Sequence, residues 1–163
     1  MQKLIKDNVI VDDNWQIVAK TDTVIPAGAQ LLLPYSLWSQ QADAVAQRED
    51  IGVWFDSDEL PTSEQATALG KLALIAIHFP VFTDGRGFSI ARLLRERMGY
   101  RGELRAFGHV IRDQLCYMKR CGFNSFILKD NSNLQAALAS LDDFTEYYQN
   151  SVDQPLPLFR RQS

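Results

Sequence analysis

Cysteine and histidine are scarce: the 163 residues hold two of each. Cys116 and Cys121 stand five residues apart, which on a helix puts them on different sides, beyond bridging distance, so a disulfide between them is excluded on a helical reading. Two thiols and two isolated histidines, His78 and His109, are too few for a four-cysteine iron–sulfur cage or a tetrahedral zinc site from this chain alone, and no other cofactor can be named. The longest apolar run, Leu72 to Ile77, is far too short to span a bilayer, so no membrane role is expected. Behind the start, Met1 to Asp7, there is neither a long apolar stretch nor a small-residue cleavage site; no secretory signal is expected, and a cytoplasmic protein is. The chain also lacks a P-loop, a Gly-x-Gly-x-x-Gly dinucleotide loop, a paired-cysteine redox motif and any internal repeat.

What is present fits one globular unit. The length suits a single domain, taken as residues 1–150 followed by a Pro-containing tail at 151–163. A hydrophobic fraction of 46% with 23% charged residues excludes the low-hydrophobicity composition of a disordered chain. The net charge of −3 conceals an asymmetry. Residues 1–85 carry 5 basic and 12 acidic side chains, residues 86–121 carry 9 and 3, and residues 122–163 carry 3 and 5. Positive charge is therefore local. Overall acidity and the lack of interleaved aromatics argue against nucleic acid as a partner.

The pattern predicts α/β architecture. A hairpin is expected around Asp12-Asp13-Asn14, between Val9–Val11 and Trp15–Val18, followed by a helix over 36–48. From Ile51 strands and helices alternate: strands at 51–55, 72–79, 103–107 and 125–128, and helices at 62–69, 88–98, 109–120 and 134–148. Repeated βα units imply a mainly parallel sheet. An open, doubly wound sheet is the expected form, with a partial barrel as the alternative. Gly99 and Gly122 are placed to end helices in the left-handed region, and Ser132 to Gln135 has capping-box spacing. Leu134, Ala137, Leu138, Leu141, Phe144 and Tyr148 form an apolar stripe, read as core. The tail, with Leu156, Leu158 and Phe159, reads as an extended arm or a frayed end.

Ligands of parallel βα units bind where strand ends lead into helices. Thr83-Asp84-Gly85-Arg86-Gly87-Phe88-Ser89 occupies such a junction. Two glycines permit close backbone approach, Ser89 offers a hydroxyl, and Arg86 offers a planar fork for phosphate, sulfate or carboxylate. The same residues suit a plain helix start, with Asp84 and Ser89 capping and the glycines turning the chain. Both readings stand at this point. Downstream, Arg92, Arg95 and Glu96 read as a solvated face with local Glu pairs, Arg105 interrupts a strand and is expected to face the interior or a cleft, and Arg112 lies within the helix expected over 109–120. His109 and Asp113 are spaced for a His–carboxylate contact, whereas His78, within an apolar strand, reads as a core histidine. Cys116, on the polar side near Arg112, Lys119 and Arg120, is the better candidate for a reactive thiolate, beside a simpler reading as a semi-buried thiol; Cys121 reads as packed.

The run Phe79-Pro80-Val81-Phe82-Thr83-Asp84-Gly85-Arg86-Gly87-Phe88-Ser89, with Ala91 to Arg95, Gly102 to Ala106, Arg112-Asp113-Gln114 and Arg120 to Phe123, resembles an uncharacterised bacterial family labelled as oxidoreductases involved in sulfite reduction. The likeness covers roughly the whole chain and is strongest from Phe79 to Phe123. It implies a role beside assimilatory sulfite reductase, with that reductase as the expected partner. The sequence departs from the family pattern at His109, where relatives more often carry an acidic residue, which counts against a required base there. Resemblance and residue chemistry together give an accessory or anion-binding protein of sulfite reduction, with Asp84, Gly85, Arg86, Gly87, Ser89, Arg105 and Arg112 meeting a small anionic ligand. The alternative is an enzyme acting on a phosphorylated or sulfonated small molecule, with Asp84, Asp113 or Cys116 as catalytic candidates. Any electrons would come from a partner or from a cofactor whose loop the sequence does not reveal.

Overall fold

The computed structural model describes residues 2–81 and 84–141. Phe82, Thr83, the far end of the 134–148 helix with Phe144 and Tyr148, and the 151–163 tail lie outside the described residues. The chain opens with an antiparallel pair, β1 (Lys3–Lys6) and β2 (Val9–Asp12). Asp7 and Asn8 join them at φ of 51° and 66°, the two-residue turn whose twist matches that of the strands and whose left-handed residues Asp and Asn tolerate. The expected hairpin is present, but its turn is Asp7-Asn8 instead of Asp12-Asp13-Asn14. Asp13 serves another purpose, accepting the Trp15 backbone N–H at 3.0 Å and an arginine described below.

After β3 (Gln16–Ile17) come β4 (Leu31–Pro34), α1 (Tyr35–Gln40), α2 (Ala42–Val45), β5 (Ile51–Phe55), α3 (Ala66–Gly70) and β6 (Leu74–Phe79). They are followed by α4 (Arg86–Arg92), β7 (Glu103–Gly108), α5 (Leu115–Cys121), β8 (Ser125–Phe126) and α6 (Leu134–Ser140). Three expected helices differ from what forms. The helix over 36–48 is two, broken at Gln41, whose N–H closes on the Leu37 and Trp38 carbonyls. The helix over 88–98 starts at Arg86, and its end widens into a π turn over Leu93–Arg97, with Met98 N–H on the Leu93 carbonyl at 3.0 Å. The helix over 109–120 starts only at a 3-10 turn, Arg112–Gln114, because Ile111 is still extended (φ −115°, ψ 156°). Gly122, at φ 114°, does close α5, as its lack of a Cβ allows.

All eight strands form one curled half-barrel sheet in the order β2-β1-β8-β7-β6-β5-β4-β3. From β3 to β8 the strands are parallel and neighbours in space in the order they occur along the chain. The hairpin joins the same sheet, with β1 running antiparallel to β8. The sheet is therefore mixed, not the mainly parallel one expected. The order also corrects the open, doubly wound form. Right-handed crossovers that always step the same way put every helix on one face and curl the sheet, as in a barrel.

Side-chain alternation shows the two faces. Ile75, Ile77 and Phe79 of β6 enter one large cluster with Leu37 and Trp38 of α1, Ile90 and Ala91 of α4, and Leu115 and Met118 of α5. The intervening residues Leu74 and Ala76 join Leu32 and Trp54 in a second, small cluster that contains no helical residue, with Trp15 and Phe107 packed against it. His78 continues that second face at the carboxyl end of β6.

Candidate functional site: the carboxyl edge of the half-barrel

Parallel strands bring the loops after β5, β6 and β7 together at one edge. In the loop after β6, Asp84 holds Arg86 through both carboxylate oxygens, Nε to Oδ1 at 3.0 Å and Nη2 to Oδ2 at 2.8 Å. Arg86 Nη2 also donates to Ser57 Oγ at 3.0 Å, which ties this loop to the one after β5. The Arg86 guanidinium, followed by the Ser57 hydroxyl and the Arg86 backbone N–H, holds the Asp84 carboxyl well below the usual carboxylate range. The Arg86 side chain nevertheless stays 62% exposed, and Nη1 makes no hydrogen bond among the described residues.

The glycines of this loop do less than the sequence suggested. A Cβ on Gly87 would lie 2.7 Å from the Phe79 ring and 3.1 Å from Ile77 Cγ2, so this glycine lets α4 lie flat on β6. A Cβ on Gly85 would meet nothing within 4 Å. Ser89 is exposed on α4.

Beside Ser57, Asp56 Oδ1 accepts the Ser57 N–H at 2.9 Å and lies 3.2 Å from His78 Nδ1, while Oδ2 takes Lys20 Nζ at 3.3 Å. Burial, which would raise the Asp56 pKa, is outweighed by the Ser57 N–H, His78 and Lys20, and the carboxyl is held below its ordinary value. The His78 ring sits between aromatic neighbours, 5.9 Å from Trp54 and 5.1 Å from Phe107 by centroid, with 30% of its side chain exposed. The sequence reading passed over this pair. The available signal was alternation: Leu74, Ala76 and His78 share the face away from the helices, and Asp56 directly follows the neighbouring strand, β5.

The arginines expected at one anion site are in three places. Arg105 is 2% exposed. It donates to Glu103 Oε1 at 2.8 Å, to Ser125 Oγ at 3.2 Å and, across the sheet, to Asp13 Oδ1 at 3.0 Å. Of the interior and the cleft, it takes the interior. Arg112 is exposed beyond β7 and lines a cleft with the loop after β8. Arg95, expected on a solvated face, instead turns in to donate to the Gly122, Tyr100 and Gly102 carbonyls at 2.8–2.9 Å, and burial lowers its pKa. Its neighbours do form the expected surface pair, Arg92 Nη2 to Glu96 Oε1 at 3.1 Å.

His109 and Asp113 do not share a helix, since the helical turn begins after His109. His109 Nδ1 lies 3.4 Å from Lys129 Nζ, and Asp113 is exposed. Cys116 is half-buried, with Sγ on the Ser140 carbonyl at 3.1 Å, so the thiol faces α6. Cys121 is fully buried, as expected; burial pushes its thiol up, against the opposing pull of Tyr117 and Arg92. Among the described residues no group of three or more His, Cys, Asp or Glu is arranged to hold a metal ion, and no helix is long and apolar enough to cross a membrane.

A family model described as a bacterial protein of unknown function (DUF934) matches residues 52–159. That span contains the loops after β5, β6 and β7, and so every residue of the edge cluster except Lys20. No curated protein matches the chain.

Proposed function

The chain belongs to the bacterial family of unknown function DUF934, so function must be argued from the edge cluster, and we propose that it is an anion-binding accessory protein of assimilatory sulfite reduction. The observation that carries the anion half is the Asp84–Arg86–Ser57 arrangement. A guanidinium already fixed by a carboxylate and a hydroxyl loses little rotamer freedom on meeting an oxyanion, which favours binding through preorganisation. Asp84 positions the fork, and the exposed side of Arg86 meets the ligand. The sulfur half rests on the resemblance of the Phe79–Phe123 motifs, and a sulfite-reducing enzyme is the partner that this reading names.

Asp56, Asp58 and Glu59 stand near the same edge, so the ligand must approach Arg86 from the solvent side. The test is a thermal-shift series with sulfite, sulfate and phosphate at constant ionic strength. A ligand at about a hundred times its dissociation constant adds roughly 2.7 kcal/mol, which for a chain of this size raises the midpoint by about 5–11 °C. Arg86→Ala should abolish the shift and Arg86→Lys should not restore it, because lysine lacks the planar fork. An unchanged shift in folded Arg86→Ala would remove this site.

One observation favours a second reading, an enzyme acting on a phosphorylated or sulfonated small molecule. With Nδ1–H donated to Asp56, His78 presents Nε2 as a proton acceptor, oriented as a general base would be, next to the loop that carries Arg86. On this reading the base is His78, since Asp84 is committed to Arg86. Turnover of such a substrate, lost in His78→Gln and kept in Asp113→Asn, is the expected result; the reverse pattern would return the role to Asp113.

A further inference from the structure

The cleft lined by Arg112 is separate from the Arg86 cluster. It has a volume of about 270 Å³ and lies between the loop after β7 (Val110, Ile111, Arg112) and the loop after β8 (Leu128, Lys129, Asp130, Ser132, Asn133), with α6 contributing Ala136 and Ala137. The two loops are fastened to each other by the Lys129 N–H on the Val110 carbonyl at 2.9 Å. Both lie at the carboxyl edge of the sheet, where barrel-type folds place their ligands.

The charges in this cleft are unbalanced. Asp130 is turned to its own loop, where Oδ1 accepts the Ser132 N–H at 2.9 Å, and that bond holds its carboxyl below the ordinary value. Asn133 is likewise occupied, capping the Ala136 N–H at 3.0 Å. Arg112 makes no ion pair among the described residues, and Lys129 Nζ meets only a ring nitrogen, His109 Nδ1. Among the described residues, two cations thus line one cleft with no carboxylate paired to either. Ile111 and Ala136, both half-buried, give the cleft an apolar wall backed by the buried Val110, Leu128 and Ala137. The larger cleft, about 370 Å³ at the opposite edge, differs: its Arg48 is already held by Asp50 at 2.8 Å, and Asp43 and Glu49 line it too.

We propose that the cleft between the loops after β7 and β8 is a second ligand site, for a small phosphomonoester or organic sulfonate. The tetrahedral anionic head sits between Arg112 and Lys129, and the short uncharged body rests on Ile111 and Ala136. A volume just below the ~300–1,000 Å³ of ordinary small-molecule sites limits the ligand to a few heavy atoms beyond its head. The assignment does not depend on Arg86, which leans the other way, toward Ser57 in the loop after β5.

Glycerol phosphate, ethanesulfonate, inorganic phosphate and inorganic sulfate are titrated into the full chain by calorimetry at constant ionic strength. The variants are Arg112→Gln/Lys129→Gln and, separately, Arg86→Ala. Both cleft side chains are exposed, and thermal midpoints verify that the double variant folds. Glycerol phosphate or ethanesulfonate should bind wild type and Arg86→Ala alike, and at least about tenfold more weakly in the double variant. In wild type the same probe should shift the Val110 and Ser132 amide resonances, a readout that needs no variant. Unchanged affinity in the folded double variant, loss in Arg86→Ala alone, or no binding of any probe overturns the site. In the Arg86→Ala background, inorganic ions binding as tightly as their organic counterparts would overturn the apolar half and leave a simple oxyanion site.

Discussion

Arg105→Met separates the two roles open to that arginine. In the fold its guanidinium bridges two buried carboxylates, Glu103 at 2.8 Å and Asp13 at 3.0 Å, whose side chains are only 8% and 5% exposed. Methionine matches much of the arginine stem but leaves both carboxylates without their main cation. Glu103 keeps Lys6, at 3.2 Å, and the Ser125 hydroxyl. Breaking a buried ion pair by removing one member costs about 3–5 kcal/mol, a large part of the ~5–15 kcal/mol that holds a domain together. For a chain of this length the thermal midpoint should fall by about 6–20 °C. Urea unfolding followed by tryptophan fluorescence measures the loss, since Trp15 and Trp54 lie in the cluster on the Arg105 side of the sheet. Adding Glu103→Gln should recover part of the loss by removing one of the orphaned charges, so the pair of substitutions is non-additive. A loss below about 1 kcal/mol, or strict additivity, would refute the buried-network reasoning and return Arg105 to the ligand-binding set.

Gly87→Ala gains a better helix former on α4 but forces a Cβ to within 2.7 Å of the Phe79 ring; overpacking of about 1–3 kcal/mol should exceed the gain of ~1 kcal/mol from propensity, and Phe79→Leu should relieve it in the double variant. Acid should destabilise the fold through Glu103. Burial would raise its pKa, but Arg105, Ser125 and Lys6 outweigh burial and set it below the unfolded value near 4.5. Its contribution is therefore complete above that value and is lost as pH falls through the lower folded value. Denaturation midpoints should drop below about pH 4.5, with a shallower slope in Arg105→Met; a midpoint independent of pH between 6 and 3 would contradict this.

Local signals in the sequence carried the middle of the chain well. Ile51–Phe55 is five apolar residues between Asp50 and Asp56, and it is β5 residue for residue. Leu74–Phe79 and Glu103–Gly108 fall within a residue or two of expectation. Failures came where the deciding partner is distant in sequence. Asp12-Asp13-Asn14 is a stronger turn signal than Asp7-Asn8, but Asp13 is needed by Arg105, 92 positions away. Arg95 looked solvated because the three carbonyls that it serves belong to loops closing after it. His78 could be placed in a strand, but not beside Asp56, until β5 and β6 were known to be neighbours. The direction of winding has no local signature, so open sheet and half-barrel could not be told apart from periodicity. Of the candidate site, Asp84 and Arg86 were legible because they are two residues apart. Ser57, Lys20 and Lys129 come from other loops, and no motif named them.

The antiparallel seam between β1 and β8 has a consequence for synthesis. Ile5 pairs with Phe126, so during synthesis β1 must await a strand made about 120 residues later. At roughly 5–20 residues per second that is about 6–24 s. During that interval the nascent hairpin offers its β1 edge to whatever is near, guarded by Lys3 and Lys6 at the two ends of the strand, the kind of charge that discourages edge-to-edge pairing. Joining β1 to β8 closes a loop of about 120 residues, a non-local contact costly to form early, and substitutions in the hairpin should slow renaturation of the purified chain less than they hasten its unfolding.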